Sequence, residues 1–247
     1  MSVTESSSQH YEQILITGAN RNVGAHLAHR FIDDGYAVIA QYRSHTDEIE
    51  RLAARGAQLV QGEFGDRDSC LAIAQRIGAV VSGLRAIVHN ASAFAPTRST
   101  PTDAADQFQA FFEVHMLAPY LLNTSLAPLM TGSAATPADI VHITDIHADR
   151  PVSEYDVYCA TKAGLQSLAL SQAKRLAPAI KVNVIQPGPL SFEAWHDPAC
   201  REAIIADTPL RRTGTPEHVY RAIAAIMGND FQTGAVIAVD GGRRLGG

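Results

Sequence analysis

Short apolar runs alternate with longer amphipathic ones from Ile14 to Val239 of this 247-residue chain, and that rhythm admits few folds. A run such as Ile14-Leu15-Ile16 is apolar at successive positions, so both of its faces must be covered, because alternate side chains of a strand point to opposite sides. The longer segments carry apolar residues at helical spacing and supply the cover. Strand then helix, repeated along the chain, predicts an α/β fold: a parallel sheet of about seven strands with helices on both faces. The expected strands lie at 14–16, 38–40, 58–60, 86–89, 139–144, 181–185 and 235–239. The expected helices lie at 23–34, 47–55, 68–81, within 104–130 as one long helix or two, at 155–176, and from Pro216 to a stop at Gly228. Residues 190–210 are less periodic and read as a mobile flap. In the last helix Val219, Ile223, Ile226 and Met227 form one apolar stripe, which suggests a subunit contact.

Bulk properties narrow the class further. With 46% apolar residues the chain can fill one large core, and no repeat or linker divides it, so 12–247 is expected to be a single domain. Residues 1–11 are polar, lack the apolar centre of a secretion signal, and read as a loose tail. No apolar run is long enough to span a membrane. A net charge of -5 leaves no basic footprint for nucleic acid. Cys70, Cys159 and Cys200 are odd in number and have no metal-like spacing, which fits a reducing cytoplasm and no metal site.

The first strand ends in Thr17-Gly18-Ala19-Asn20-Arg21-Asn22-Val23-Gly24 and a helix follows. Gly18 and Gly24 let the backbone approach a pyrophosphate, whose charge the free N–H groups of the helix receive. Glycine turns are common, and it is the position between strand and helix that gives this one meaning. An acidic residue after the second strand would bind ribose hydroxyls and repel a 2'-phosphate. The chain instead has Tyr42-Arg43-Ser44-His45, with Arg21 in the glycine turn, and two arginines converging there favour NADP(H). Read otherwise, Arg21 and Arg43 are ordinary surface charges.

Tyr158 and Lys162 are four residues apart, hence on one face of a helix, one turn from each other. An ammonium near a phenol favours phenolate. Lowering a phenol from about 10 to about 7 takes roughly 4 kcal/mol, on the scale of one charge at about 4 Å in an effective dielectric near 20. The pair also occurs by chance on exposed helices.

Taken together, the glycine turn, His89-Asn90-Ala91-Ser92, Tyr158 with Lys162, Pro187-Gly188 and Val239-Asp240-Gly241-Gly242 resemble the short-chain dehydrogenase/reductase family over nearly the whole length. The resemblance implies a Rossmann-like doubly wound sheet. In that family a serine usually stands thirteen residues before the tyrosine, where this chain has Asp145. Asp145 with the aromatic Phe94 is similar to the pteridine reductase branch, including the bacterial dihydromonapterin reductases. The resemblance implies a cofactor site that includes Val23, the backbone of Asn90, Ala91 and Ser92, and Pro187-Gly188, with Lys162 on the nicotinamide ribose. Glu63 and Phe64 stand where the family places an aspartate and an apolar residue against the adenine; a purely structural role fits them equally well.

For the substrate, the resemblance implies a pterin held between Phe94 and nicotinamide, reached by Ser92, Tyr158 and Asp145. Phe94 is otherwise ordinary core. A serine would donate to a carbonyl oxygen gaining charge, whereas an ionised carboxylate would oppose it. A carboxyl group suits the amine-rich edge of a pterin, or a proton passed to a ring nitrogen. Read structurally, Asp145 caps a strand end. Trp195 either closes the pocket or packs. Asn22 departs from the arginine of pteridine reductases, and His115 from an asparagine that in the wider family supports a proton relay to the lysine.

The expected activity is NADPH-dependent reduction of a dihydropterin or dihydrofolate by a homotetramer. Reduction of another planar ring or carbonyl compound, and NADP binding by a non-catalytic regulator, are the alternatives.

Overall fold

The computed structural model describes residues 12–192 and 194–246; the expected tail at 1–11 lies outside them. Seven parallel strands form one sheet in the order β3-β2-β1-β4-β5-β6-β7. These are β1 (Gln13–Thr17), β2 (Ala37–Tyr42), β3 (Gln58–Gln61), β4 (Leu84–His89), β5 (Ala138–Ile143), β6 (Ile180–Pro187) and β7 (Val236–Val239). Alternation within the fully buried strands fixes the layers. Ile14 and Ile16 of β1 face a core shared with helices α1 (Asn22–Asp33), α2 (Asp47–Ala54) and α8 (Pro216–Met227). Leu15 between them faces α3 (Arg67–Val80), α5 (Ala118–Leu126) and α6 (Asp156–Leu176). Both faces are therefore covered, as the apolar runs require.

Two expectations change. The α8 stripe is core: Val219, Ile223 and Ile226 are fully buried with Leu27 and Phe31 of α1, so its apolar side is satisfied within the chain. The segment 190–210 holds a helix, α7 (Pro198–Ala206), started by the Asp197 carboxylate on the Cys200 N–H at 2.7 Å and by Pro198 in its first turn. None of its residues is buried, which removes the apolar stripe that would have announced it.

The long helix within 104–130 is α4 (Pro101–Phe112) and α5 joined by a π-helical turn, Glu113–Leu117. Such a turn inserts a residue and re-aims the side chains it carries. Here it turns His115 inward, 1% exposed. No helix is long and apolar enough to cross a membrane among the described residues.

Candidate active site

The strand order reverses between β1 and β4, and ligands in open α/β sheets bind at the carboxyl ends beside such a switch. Those two strand ends are tied together. The Thr17 hydroxyl accepts from the N–H groups of Asn90 and Ala91, each at 3.0 Å. The Asn90 amide donates to the carbonyls of Thr17 and Gly18 at 3.0 and 3.1 Å. A side chain on Gly24 would stand 2.2 Å from the Gly18 carbonyl oxygen and 2.5 Å from the Asn90 amide. Gly18 has φ +66 and would meet Ala91 at 2.8 Å. Neither position tolerates a Cβ. Asn22 has φ 47, a left-handed conformation that asparagine adopts more readily than most residues. It thus does backbone work of the kind glycine does at such turns.

From this turn a groove of about 540 Å³ runs past Gly18, Arg21, Asn22, Val23, Arg43, Ser44, Glu63, Phe64, Asn90, Ala91 and Ser92. Most of the expected cofactor residues therefore share one wall. Tyr42 does not: it is 7% exposed and packs in the core with Ile49. Its neighbour Gln41 takes the wall, accepting from the Gly18 N–H at 3.1 Å and donating to the Gly62 carbonyl at 2.7 Å. In a strand buried on both faces, sequence alone does not say which side chain turns toward a ligand. Arg43 meets Glu63 at 3.3 Å, both about two-thirds exposed, a pair that water screens to little net energy. Phe64 is mostly core, beside Cys70 and Ile73, with an edge on the groove.

A second cavity of about 420 Å³ adjoins the groove through Asn22, Val23 and Phe94. Asp145, Tyr158, Pro187, Gly188, Tyr155, His147, Phe192 and Arg243 are on its wall. Its volume lies within the ordinary range for small-molecule sites.

Asp145 leaves β5 and does two things at once. Its Oδ1 accepts from the His147 N–H at 2.9 Å, capping a short 3-10 turn, while its Oδ2 accepts from the Tyr158 hydroxyl at 3.0 Å. The capping role and the role at the cavity coexist in one side chain.

Tyr158 and Lys162 leave the same side of α6, both almost fully buried. Burial, and then the Asp145 carboxylate, hold the phenol well above its ordinary value. Burial pushes Lys162 down to about 8, with Asp145 opposing the shift. Lys162 donates to the Ile143 carbonyl at 3.0 Å and lies 5.7 Å from the Tyr158 ring centre. Of the two opposing influences that the sequence predicts on the phenol, the fall driven by Lys162 and the rise driven by Asp145, the second prevails, because burial adds to it. Tyr158 rests protonated.

Phe94 is half-buried and its ring is in company. It stacks on Tyr155 at 4.7 Å, meets Tyr158 edge-on at 4.9 Å and Trp195 at 5.9 Å. Trp195 lies on the groove side rather than on the wall of the second cavity. Tyr155 and Arg243 were missed because neither stands in a recognisable motif; Arg243 reaches the wall only because the chain end folds back beside α7, where it donates to the Ile204 carbonyl at 2.7 Å.

His115 lies behind this wall. Its Nε2 is 2.9 Å from the Ser92 hydroxyl and 3.2 Å from the Ala93 N–H, and its Nδ1 is 2.8 Å from the Thr161 hydroxyl. Burial, then the Lys162 charge, hold it well below the usual imidazole value.

Comparison with known proteins agrees with this geometry. The family profile described as Enoyl-(Acyl carrier protein) reductase matches residues 18–244. The chain is 35% identical to a dihydromonapterin reductase of Citrobacter koseri, over 94% of this chain and 96% of that one. It is 34% identical to one of Escherichia coli strain SMS-3-5 over the same shares. Among solved structures, the Pseudomonas aeruginosa RhlG/NADP active-site complex superposes with a TM-score of 0.85 at 26% identity, covering 94% of this chain and 96% of that one. A Serratia marcescens short-chain dehydrogenase/reductase mutant has the same fold, with a TM-score of 0.83 at 23% identity, over 94% and 98%. The sheet order, the glycine turn against Asn90, the buried tyrosine–lysine pair and these relatives together make the chain a member of the short-chain dehydrogenase/reductase family, a family of oxidoreductases.

Proposed function

We propose that the protein uses NADPH to reduce a dihydropterin of the dihydromonapterin or dihydrobiopterin kind to its tetrahydro form. The observation that carries this reading is the carboxylate of Asp145, 3.0 Å from the Tyr158 hydroxyl on the wall of a cavity beside the groove. The relatives named dihydromonapterin reductase support it, as does an NADP complex among the structural neighbours.

The groove suits the dinucleotide: no Cβ fits at Gly18 or Gly24, so the turn leaves its backbone open to a pyrophosphate at the start of α1. Arg21, Arg43 and Ser44 would receive the 2'-phosphate, and Asn90, Ala91, Ser92 and Lys162 the nicotinamide ribose. Bound there, NADPH supplies the hydride and both electrons of the reduction.

The chain's own part is the proton and the orientation. Hydride added to the carbon of a C=N bond leaves the nitrogen electron-rich, and a proton must reach it. Tyr158 stores that proton, held on its oxygen by burial and by Asp145. Giving it up would leave a phenolate beside a carboxylate, so the buried Lys162 ammonium is needed to balance the charge, and a proton taken up by Asp145 from the cavity would pass across the 3.0 Å contact to restore the Tyr158 hydroxyl. Phe94, already backed by Tyr155, offers an aromatic wall for a flat bicycle. A carbonyl substrate would instead place its developing oxyanion against the Asp145 carboxylate, which disfavours ketones.

NADPH oxidation followed with dihydromonapterin, dihydrobiopterin, dihydrofolate and a set of ketones tests the proposal. Turnover is expected with the dihydropterins, and Asp145→Ser should lower it about a hundredfold while leaving NADPH affinity unchanged. Ketone reduction alone, or full activity in the serine variant, refutes it. The family resemblance also leads us to propose a homotetramer. Phe108, Phe112 and Tyr120 are large exposed apolar residues on α4 and α5, and sedimentation equilibrium measures the assembly directly.

A further inference from the structure

The hydrogen bonds around His115 determine its tautomer from both sides. The Ala93 backbone N–H can only donate, and it points at Nε2 from 3.2 Å. Nε2 must therefore carry a lone pair rather than a proton. On the other side the Thr161 hydroxyl gives its proton to the Tyr158 carbonyl at 2.9 Å. It is left to accept from Nδ1 at 2.8 Å, so Nδ1 carries the proton. The two assignments are independent and they agree.

Ser92 is the third partner, 2.9 Å from the same unprotonated Nε2. A contact between an oxygen and a ring nitrogen without a proton is a hydrogen bond only if the hydroxyl donates. The competing acceptor, the Ala93 carbonyl at 3.4 Å, is longer. Ser92 lines the groove next to Phe94, and its one proton is turned away, into the protein. What it shows to a ligand is lone pairs.

We infer that His115 is a positioning residue that fixes Ser92 as a hydrogen-bond acceptor, so that the ligand group facing Ser92 must be a donor, and an N–H where the facing group is an amide or an amine. Through Thr161 the same ring joins the Ser92–Phe94 loop to the helix that bears Tyr158 and Lys162. The groove and the proton donor are thereby held in one register. The His115 ring also meets the Tyr158 ring edge-on at 5.6 Å, but its three hydrogen-bonding partners are Ser92, Ala93 and Thr161, so it acts on the reaction through position and not through a proton of its own. Two ligand groups have the right chemistry: the carboxamide of a nicotinamide cofactor and the amine-bearing edge of a pterin. The second rests on the reaction proposed above; the first does not.

The test has a spectroscopic arm and two ligand arms. In protein with nitrogen-15 histidine at pH 7, the His115 resonances should show a pyridine-type Nε2 and a pyrrole-type Nδ1; the reverse pattern overturns the inference. The cofactor arm compares the affinity of NADPH with that of its 3-acetylpyridine analogue, which has a methyl group where the carboxamide has its N–H. The substrate arm compares kcat/KM for a dihydropterin and for the analogue with oxygen in place of the 2-amino group. At least one arm should show about a tenfold preference for the N–H ligand, the scale of one hydrogen bond. That preference should vanish in Ser92→Ala and His115→Phe and persist in Ser92→Thr. Should His115→Phe fail to fold, His115→Asn, whose shorter side chain cannot reach all three partners, serves in its place. No preference in either arm, or one that survives in Ser92→Ala, overturns the inference. If neither pterin is turned over, the proposed reaction falls, while the cofactor arm and the tautomer still decide the role of His115.

Discussion

An aspartate with a lysine nearby stands at either end of strand β5, Asp139 as its second residue and Asp145 two residues past its last, and the two ends have opposite characters. At the amino end Asp139 is fully buried between Arg85, 2.5 Å away, and Lys181, 3.1 Å away. Lys181 also donates to the carbonyls of Ile226 and Asn229, and Arg85 to that of Met227. At the carboxyl end, Asp145 is half-buried on a cavity wall, with a phenol and one backbone N–H for partners. Lys162 behind it donates to the Ile143 carbonyl with one of its three protons. The chemistry of the residues is alike. One cluster is closed on itself, its carboxylate fully buried between two cations; the other faces a cavity that a visitor can enter.

The comparison breaks most sharply under substitution of the aspartates. Asp139→Ala leaves the buried Lys181 without a counter-ion and Arg85 with only Glu12 at 3.8 Å, and should cost about 3–5 kcal/mol of unfolding free energy. Asp145→Ala should cost under about 1 kcal/mol, because the groups it frees can reach water in the cavity. Urea denaturation of both variants measures the difference, and equal losses would erase the distinction.

Between the two ends, His89 and His142 stack at 4.7 Å inside the sheet, with Asn123 bridging to Gln172. Burial pushes His89 down to about 4 and holds His142 well below the imidazole range. A base whose folded pKa lies below its unfolded value is protonated first in the unfolded chain. Stability is therefore full above about 6.5 and falls as pH drops toward 4. His89 alone should remove about 3 kcal/mol by pH 4. Unfolding midpoints between pH 7 and 4 check this, and His89→Gln should flatten the fall.

Lys162 sharpens the contrast from the functional side. Its folded pKa of about 8 means that burial of the charge costs stability below pH 8, and that this cost fades as pH rises from 8 to the unfolded value near 10.5. Lys162→Met should abolish turnover yet stabilise the free protein by about 2 kcal/mol at pH 7, after the lost hydrogen bond to Ile143 is counted. The gain should disappear by pH 10.5. A destabilised methionine variant at pH 7 would show that this lysine is as well satisfied as Lys181.

The smallest effect on stability is expected at the groove's outer rim. Arg43→Asp breaks only an exposed pair with Glu63 and should change stability by less than about 0.5 kcal/mol. It should nevertheless weaken NADPH about tenfold or more relative to NADH. Titration with both nucleotides measures that ratio.

Sheet and helices were legible because buried strands and amphipathic helices write different periods into the chain, as Ile14-Leu15-Ile16 and the α8 stripe do. The glycine turn was legible for the same reason: Gly18 and Gly24 meet steric demands that almost no other residue meets. Three things were not. The π-helical turn at Glu113–Leu117 has no composition of its own, so the inward aim of His115 had no sequence signal. The α7 helix buries nothing, so only the Asp197-Pro198 start marked it. The direction of the Tyr158 shift depends on depth of burial and on which charge is nearer, quantities that a four-residue spacing does not contain.

Gln41 ties Gly18, at the end of β1, to Gly62, just past β3, from its own place on β2. Three adjacent strand tips are thereby locked into a rigid bracket before any nucleotide arrives. Little ordering is left for the adenosine end to impose, so its association should carry a small entropic penalty. A Gln41→Leu enzyme should reveal the bracket's value as a slower, more strongly temperature-dependent capture of the dinucleotide rather than as a change in the reaction that follows.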